Sequence, residues 1–313
     1  MRALTQSTFL ANREIRHALI LGGGGYLGVD LVRRLTSSMV RTTCVLHETP
    51  VHSLPRSTRI VRGSLGRFPW DTLERDPPDV LFHLDTRGSS RGAFTHLRNR
   101  IANERLLRAL AALEHPPLLL FVWGGGVAYG SRGEEIVTED CPLARSSSSF
   151  DYYRAELLWR QAQQHNDLPV IVIRTAWVLS PASLLVTFYK RFIGAEGAVP
   201  VVGNGNNWMS FVHVDDCAGL ILHAARRSLP GSAVNVFSGV AYRQADFARK
   251  LAELRQLPIR SLTADEVEQR FGRVVRQAFE CSAHMGTLHT ALRTGFEPRH
   301  DDPVADVSWL VSD

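Results

Sequence analysis

"HALILGGGGYLGVDLVRRL", residues 17–35, places an apolar run, four glycines and a helical repeat end to end. "HALIL" (17–21) has the length and unbroken apolarity of a strand covered on both faces. "YLGVDLVRRL" carries apolar residues at helical spacing. Between them, Gly22, Gly25 and Gly28 stand at GxxGxxG spacing, with Tyr26 and Leu27 inside the motif. Glycine is needed there because the backbone must turn tightly and let a pyrophosphate approach. The following helix then offers free N–H groups and a partial positive charge. In this strand–turn–helix setting the motif predicts a dinucleotide site; the alternative is a glycine-rich turn that binds nothing.

The same alternation continues outward. "TTCVLH" (42–47), "DVLFHL" (79–84), "LLLFVW" (118–123) and "PVIVIR" (169–174) read as strands, and "IANERLLRALAAL" (101–113) and the stretch around Tyr152 as helices between them. Strands alternating with helices of this length predict an α/β fold with a doubly wound parallel sheet of Rossmann type. After about residue 180 the pattern loosens. Helices are expected at 183–194, 215–227 and 244–254, and Thr263 with Glu266 predicts a capping box opening one helix through about Phe279. The division expected is a dinucleotide-binding domain over 14–180, to which 211–238 returns, and a smaller C-terminal substrate lobe from 181–210 and 239–313. Ligands of such sheets bind at the carboxyl edge of the strands.

A second cofactor landmark is an acidic residue ending the second strand. "VLHE" offers His47 and Glu48. An inward Glu48 would repel a 2′-phosphate, and no arginine sits in that window, which favours NAD; NADP stays open.

Bulk properties bound the function. The chain has 313 residues, 44% apolar and 21% charged, so it can bury a substantial core. The net charge of +5 comes almost wholly from dispersed arginines, since Lys190 and Lys250 are the only lysines. Without a basic block, no nucleic-acid partner is expected. No apolar stretch is long enough to cross a membrane, and "MRALTQSTFLANREIRH" lacks the apolar core and cleavage site of a signal peptide. The four cysteines have neither CxxC nor metal-ligand spacing, which points to reduced thiols in the cytoplasm and to no metal.

With these motifs in place, the chain resembles the extended short-chain dehydrogenase/reductases, which include nucleotide-sugar epimerases, dehydratases and 3β-hydroxysteroid dehydrogenases. "ILGGGGYLG" is similar to that family's phosphate loop, "DVLFHLD" to its DVVFHLA strand, and "IRTAWVLSP" to IRPxxVYGP. "FVHVDDCAGLILHAA" is close to FVHVDDVAxAILLA. "RGSL" stands where the family has GDL, with Ser64 replacing an aspartate that meets the adenine. The resemblance implies a Rossmann-type fold and NAD or NADP as cofactor, held by the glycine loop, His47 or Glu48, Ser64, Leu65, Leu84 and Asp85. It also implies a homodimer by analogy.

The implied catalytic positions are altered. The family pairs a tyrosine and a lysine in YxxxK with a serine or threonine before VYG. In "FDYYRAELLWRQ" (150–161) Tyr152 aligns with the tyrosine and Glu156 with the lysine; in "VWGGGVAYG" Gly125, or Gly126, aligns with the hydroxyl residue. A lysine lowers the tyrosine's pKa. A charge about 6 Å away at an effective dielectric of ~20 is worth roughly 3 kcal/mol, about two pKa units, and an anion reverses the sign. Ordinary hydride transfer through Tyr152 is therefore not expected. Glu156 either handles protons beside Tyr152 or pairs with Arg160 one turn on; the two are compatible.

For the substrate, "GNGNNWMSFVHVDD" has Trp208, Met209 and Ser210 where nucleotide-sugar members carry a diphosphate-clamping arginine. Trp208 and Met209, with Trp177, would suit a small, apolar or polycyclic ligand if they face the cleft, and would be ordinary packing if they do not. His213, Asp215 and Asp216 are expected to cap the next helix. Three functional readings follow. The first is a non-standard enzyme of isomerisation, dehydration, cyclisation or specialised reduction, using Tyr152 and Glu156. The second is a conventional oxidoreductase or epimerase with substitutes from "HLDTRGSS", namely Asp85, Arg87, Ser89 and Ser90. The third is a non-catalytic sensor of cofactor or ligand.

Overall fold

The computed structural model describes residues 12–47, 54–84, 92–145, 150–166, 168–228, 230–288, 296–300, 302 and 304, with backbone alone at 92–98, 150–152, 155, 165 and 166. The chain opens with β1 (His17–Leu21), α1 (Tyr26–Ser37), β2 (Arg41–Leu46), β3 (Arg59–Arg62), α2 (Thr72–Arg75) and β4 (Val80–His83). It continues with α3 (Gly92–Ala111), β5 (Leu118–Trp123), β6 (Ile136–Val137), α4 (Phe150–Asn166), β7 (Val170–Thr175), β8 (Trp177–Leu179) and α5 (Leu184–Glu196). Then come β9 (Val199–Val202), β10 (Trp208–His213), α6 (Val214–Arg227), β11 (Ala233–Val236), β12 (Ala241–Arg243) and α7 (Gln244–Arg255). The last are β13 (Ile259–Leu262), α8 (Ala264–Phe271), α9 (Arg273–Glu280) and β14 (His284–Met285).

Seven strands form one sheet in the order β11-β7-β5-β4-β1-β2-β3, every pair parallel. Side chains alternate between its faces, as strand geometry demands. Ala18, Ile20, Leu120 and Ile173 enter one core with α1 and α6, while Leu19, Leu21, Phe121 and Val172 enter another with α3 and α4. Both faces are covered, which is why these strands read as continuous apolar runs. The order reverses beside β1, whose neighbours are β2 and β4, so the glycine loop leaves the sheet at its switch point.

A second body of packing gathers β8, β10 and β12 in a three-stranded sheet, and β9 and β13 in a two-stranded one, around Phe188, Tyr189, Phe211 and Phe247. β11 joins the large sheet although it follows β10 of the small one, so the chain crosses between the two and back. The capping box at Thr263 forms in both directions. The single helix expected through Phe279 is instead two, α8 and α9, because Gly272 takes φ +89°, outside the helical region.

At the opposite end of the sheet from the glycine loop, Asp76 accepts from Arg41 at 2.7 and 2.8 Å and from Arg59 at 3.0 Å. The hydrogen bond from Arg41 holds its carboxyl below the usual carboxylate range. A depressed folded value contributes stability above the unfolded value, near pH 4, and that stability is lost as pH falls through the folded value. Asp76→Asn is therefore expected to cost about 0.5–1 kcal/mol at pH 7 and less in acid. Urea midpoints at pH 7 and pH 3 check it; an equal cost at both would remove the ionic explanation.

Candidate functional site

The glycine loop is built around close approach. Gly22 sits at φ +85°, a conformation costly for any residue with a Cβ. A Cβ on Gly28 would lie 2.5 Å from the Gly22 carbonyl oxygen and 2.7–2.8 Å from Gly23 backbone, so the first turn of α1 rests directly on the loop. A Cβ on Gly25 would meet nothing nearer than 3.5 Å. α1 has no side-chain cap and no acidic residue in its first turn, so its N-terminal N–H groups face outward uncovered by either. A phosphate-bearing ligand fits such a cradle.

From this loop a cleft of about 290 Å³ runs along the carboxyl ends of β1, β4, β5 and β7 towards the smaller sheets. Gly22, Gly25, Tyr26, Leu27, Gly28 and Leu84 line its near end; Gly126, Trp177, Leu184, Leu185, Trp208 and Met285 line the far end. Trp177 packs on Phe279 with ring centroids 5.4 Å apart. Trp208 stacks on His284 at 4.7 Å, lies under the Arg243 guanidinium at 4.7 Å, and donates its indole N–H to Glu134 at 3.0 Å. The aliphatic hydroxyls in the wall are used internally. Thr175 donates to the Trp123 carbonyl, Ser183 caps α5 by accepting from Val186 N, and Ser210 donates to the Ala283 carbonyl and accepts from Met285 N. The Cys281 thiol faces the Val127 carbonyl, and burial pushes its pKa up to about 12. Among the described residues of this wall there is no carboxylate, imidazole or amine.

Glu156 lies elsewhere. It has 0% exposure, and both carboxylate oxygens are taken. Arg174 donates Nη2 to Oε1 at 2.7 Å and Nε to Oε2 at 3.0 Å, and Arg160 donates Nε to Oε1 at 2.7 Å. Arg174, also at 0% exposure, spends Nη1 on the Tyr129 hydroxyl at 2.5 Å and the Glu139 carbonyl at 3.3 Å. Burial acts to lower the Arg174 pKa, but the hydrogen bonds to Glu156 outweigh it and raise the value, so the guanidinium stays charged. Burial pushes Tyr129 up to about 12, leaving it a neutral phenol. Gly125 explains itself here: a Cβ on it would lie 2.5 Å from Arg174 Cβ and Cγ, so glycine makes room for the buried arginine.

Residues 18–236 match the model of the NAD dependent epimerase/dehydratase family. The chain belongs to that family. The low-salt glycan biosynthesis protein Agl12 of Haloferax volcanii is 32% identical over 131 residues, covering 40% of this chain and 42% of Agl12, so that match spans under half of the relative's length. The epimerase family protein YfhF of Bacillus subtilis is 25% identical over 260 residues, 76% of this chain and 79% of YfhF. The dTDP-glucose 4,6-dehydratase of Bacillus anthracis, solved in complex with NAD, shares the fold with a TM-score of 0.72 at 17% identity, over 94% of this chain and 96% of that one.

Of the residues singled out in the sequence, the structure brings together Gly22, Gly25, Tyr26, Leu27, Gly28, Leu84, Gly126, Trp177 and Trp208 in one cleft. Others point or lie elsewhere. Glu156 points into the protein at Arg174 instead of into the cleft, as a buried ion-pair partner. Its pairing with Arg160 does form. Gly125 faces Arg174, not substrate. Met209 is fully buried in the smaller core among residues such as Phe211 and Phe247, because the strand's alternation turns it away from the cleft that Trp208 and Ser210 line. Leu65 is likewise core, packed with Leu106 and Trp159. His47 is exposed at the end of β2, and Ser64 is half-buried before a 3-10 turn; neither lines the cleft. Glu48, Asp85, Arg87, Ser89 and Ser90 lie outside the described residues, as does the Tyr152 side chain.

Asp215, Asp216 and His300 bring three ligand atoms within 4.8 Å, but donors already fill them. Asp216 accepts from the N–H groups of Arg299 and His300, and Asp215 pairs with Arg34 and Arg299. His213 caps α6 through Nδ1. No helix among the described residues is long and apolar enough to cross a membrane. What sequence reading missed is the far wall from Cys281 to Met285 and Arg174 as a partner of Glu156. The first left no sequence mark. Arg174, a charge inside "VIVIRT", was a visible one.

Proposed function

We propose that this chain binds NAD or NADP along Gly22–Gly28 and, at the far end of the same cleft, a small, largely apolar molecule whose protons it moves. The observation that carries this is the continuity of one cleft from an uncapped helix N-terminus, where Gly22 and Gly28 leave no room for a side chain, to a wall of Trp177, Trp208, Leu184, Leu185 and Met285. A bound nicotinamide would supply a donor or acceptor of hydride. The side chains of the far wall are mostly apolar, which supports an apolar ligand. Tyr152, one helical turn or ~6 Å before Glu156 on α4, is the residue proposed to hold or accept the proton. With Glu156 committed to Arg174 and no lysine in this helix, the chemistry expected is non-standard: isomerisation, dehydration, cyclisation or a specialised reduction.

A second reading, a non-catalytic protein that senses cofactor or ligand, is favoured by the lack of carboxylate, imidazole and amine groups among the described wall residues. Titration calorimetry with NAD+, NADH, NADP+ and NADPH tests the shared part. Micromolar affinity for one pair is expected, and no binding at millimolar dinucleotide would end both readings. Tyr152→Phe then separates them. It should lower any turnover by about 10²–10⁴ if the tyrosine moves a proton, and change nothing in a sensor.

A further inference from the structure

We infer that Arg174 is a positioning residue that registers helix α4, which carries Tyr152, against the returning segment 284–288, which supplies Met285 to the cleft wall. A charged pair at zero exposure is a poor way to gain stability alone, since apolar residues of similar volume do as well or better. What the guanidinium adds is direction. It donates to Glu156 of α4 on one side and to the Tyr129 hydroxyl on the other. Tyr129 donates in turn to Asn235 Oδ1 at 2.7 Å, which fixes the amide so that Asn235 Nδ2 donates to the Gly286 carbonyl at 2.8 Å. Glu139, whose own carbonyl accepts from Arg174, receives the N–H of Asn235 at 2.8 Å, the hydroxyl of Thr287 at 2.7 Å and the N–H of Leu288 at 2.8 Å.

The two ends of this chain of bonds are 130 residues apart in sequence, from Glu156 to Gly286. Each link is buried or half-buried, and each has one polarity, because an arginine can only donate and a neutral phenol that accepts from it must donate onward. A shift of α4 therefore cannot occur without disturbing the carbonyl and N–H groups that pin the far wall. Ser210 meets the same segment from the smaller sheet through Met285 N at 2.8 Å. The proposal rests on the functional reading only in naming the cleft as the ligand site.

Hydrogen exchange of the full chain, followed by mass spectrometry, tests it. In Tyr129→Phe the Glu156–Arg174 pair keeps its bonds while the link to Asn235 is lost. Amides of 284–288 are expected to exchange about tenfold faster with α4 unchanged. In Glu156→Gln/Arg174→Met both buried charges are gone, so stability should return close to the parent's. Exchange in 284–288 should nevertheless stay fast, because Tyr129 has lost its donor. Slow exchange there, recovered together with stability, would make Arg174 a packing element and overturn the proposal, as would unchanged exchange in Tyr129→Phe. NADH calorimetry on the same proteins keeps the two ideas apart. The phosphate loop touches none of these residues, so any parental affinity should be retained, and a parent that binds no dinucleotide leaves the exchange result decisive.

Discussion

Glu156→Gln is expected to lower the unfolding free energy by about 3–5 kcal/mol, the usual cost of removing one partner from a buried ion pair. The carboxylate is at 0% exposure and balances the equally buried Arg174. A glutamine oxygen cannot receive both the Nε and Nη2 donors at full strength, and its amide nitrogen would face a cation. Such a loss is a large share of the roughly 5–15 kcal/mol of a typical domain, so it should be plain in urea unfolding monitored by far-ultraviolet dichroism. A cost under about 1 kcal/mol would mean that the pair is far more hydrated than its geometry shows. The same experiment changes the meaning of the substitution: activity lost in this variant would report a damaged fold and not a missing acid or base.

Gly28→Ala is expected to weaken dinucleotide binding by about a hundredfold or more, near 2.7 kcal/mol. The new Cβ would fall 2.5 Å from the Gly22 oxygen and within 2.8 Å of two Gly23 backbone atoms, none of which can rotate away. Either the loop opens or α1 retreats, and both move the N–H groups that would face the phosphates. Gly25→Ala is the informative partner. Its nearest neighbour would be at 3.5 Å, ordinary contact, so the loop should keep its shape. Binding that survives in Gly25→Ala but not in Gly28→Ala would place the ligand away from Gly25. Loss in both would put phosphate directly on this backbone. Retention in both would sink the loop as a cofactor cradle.

The large elements were legible for a simple reason. Strands buried on both faces must be apolar throughout, and "HALIL" and "LLLFVW" announce themselves. The glycine loop was legible because backbone needs leave a residue type behind. Thr263 with Glu266 was legible because a capping box is closed within four residues. The break at Gly272 was hidden, since a helix tolerates one glycine and only its φ decides.

The site divides along the same line. Sequence by itself determined which residue types stand where: glycines at GxxGxxG spacing, a tyrosine without its lysine, tryptophan and methionine in place of a clamping arginine. These are properties of single positions or of neighbours along the chain. Only the tertiary structure decided where side chains point. One turn of α4 separates Tyr152 from Glu156, yet Glu156 is spent on Arg174, eighteen positions further on and in another element. One residue separates Trp208 from Met209, yet one lines the cleft and the other fills a core. Aligned letters could not reveal either outcome. A side chain's chemistry depends on the partners that packing brings to it, and for Glu156 those partners come from both near and far along the chain.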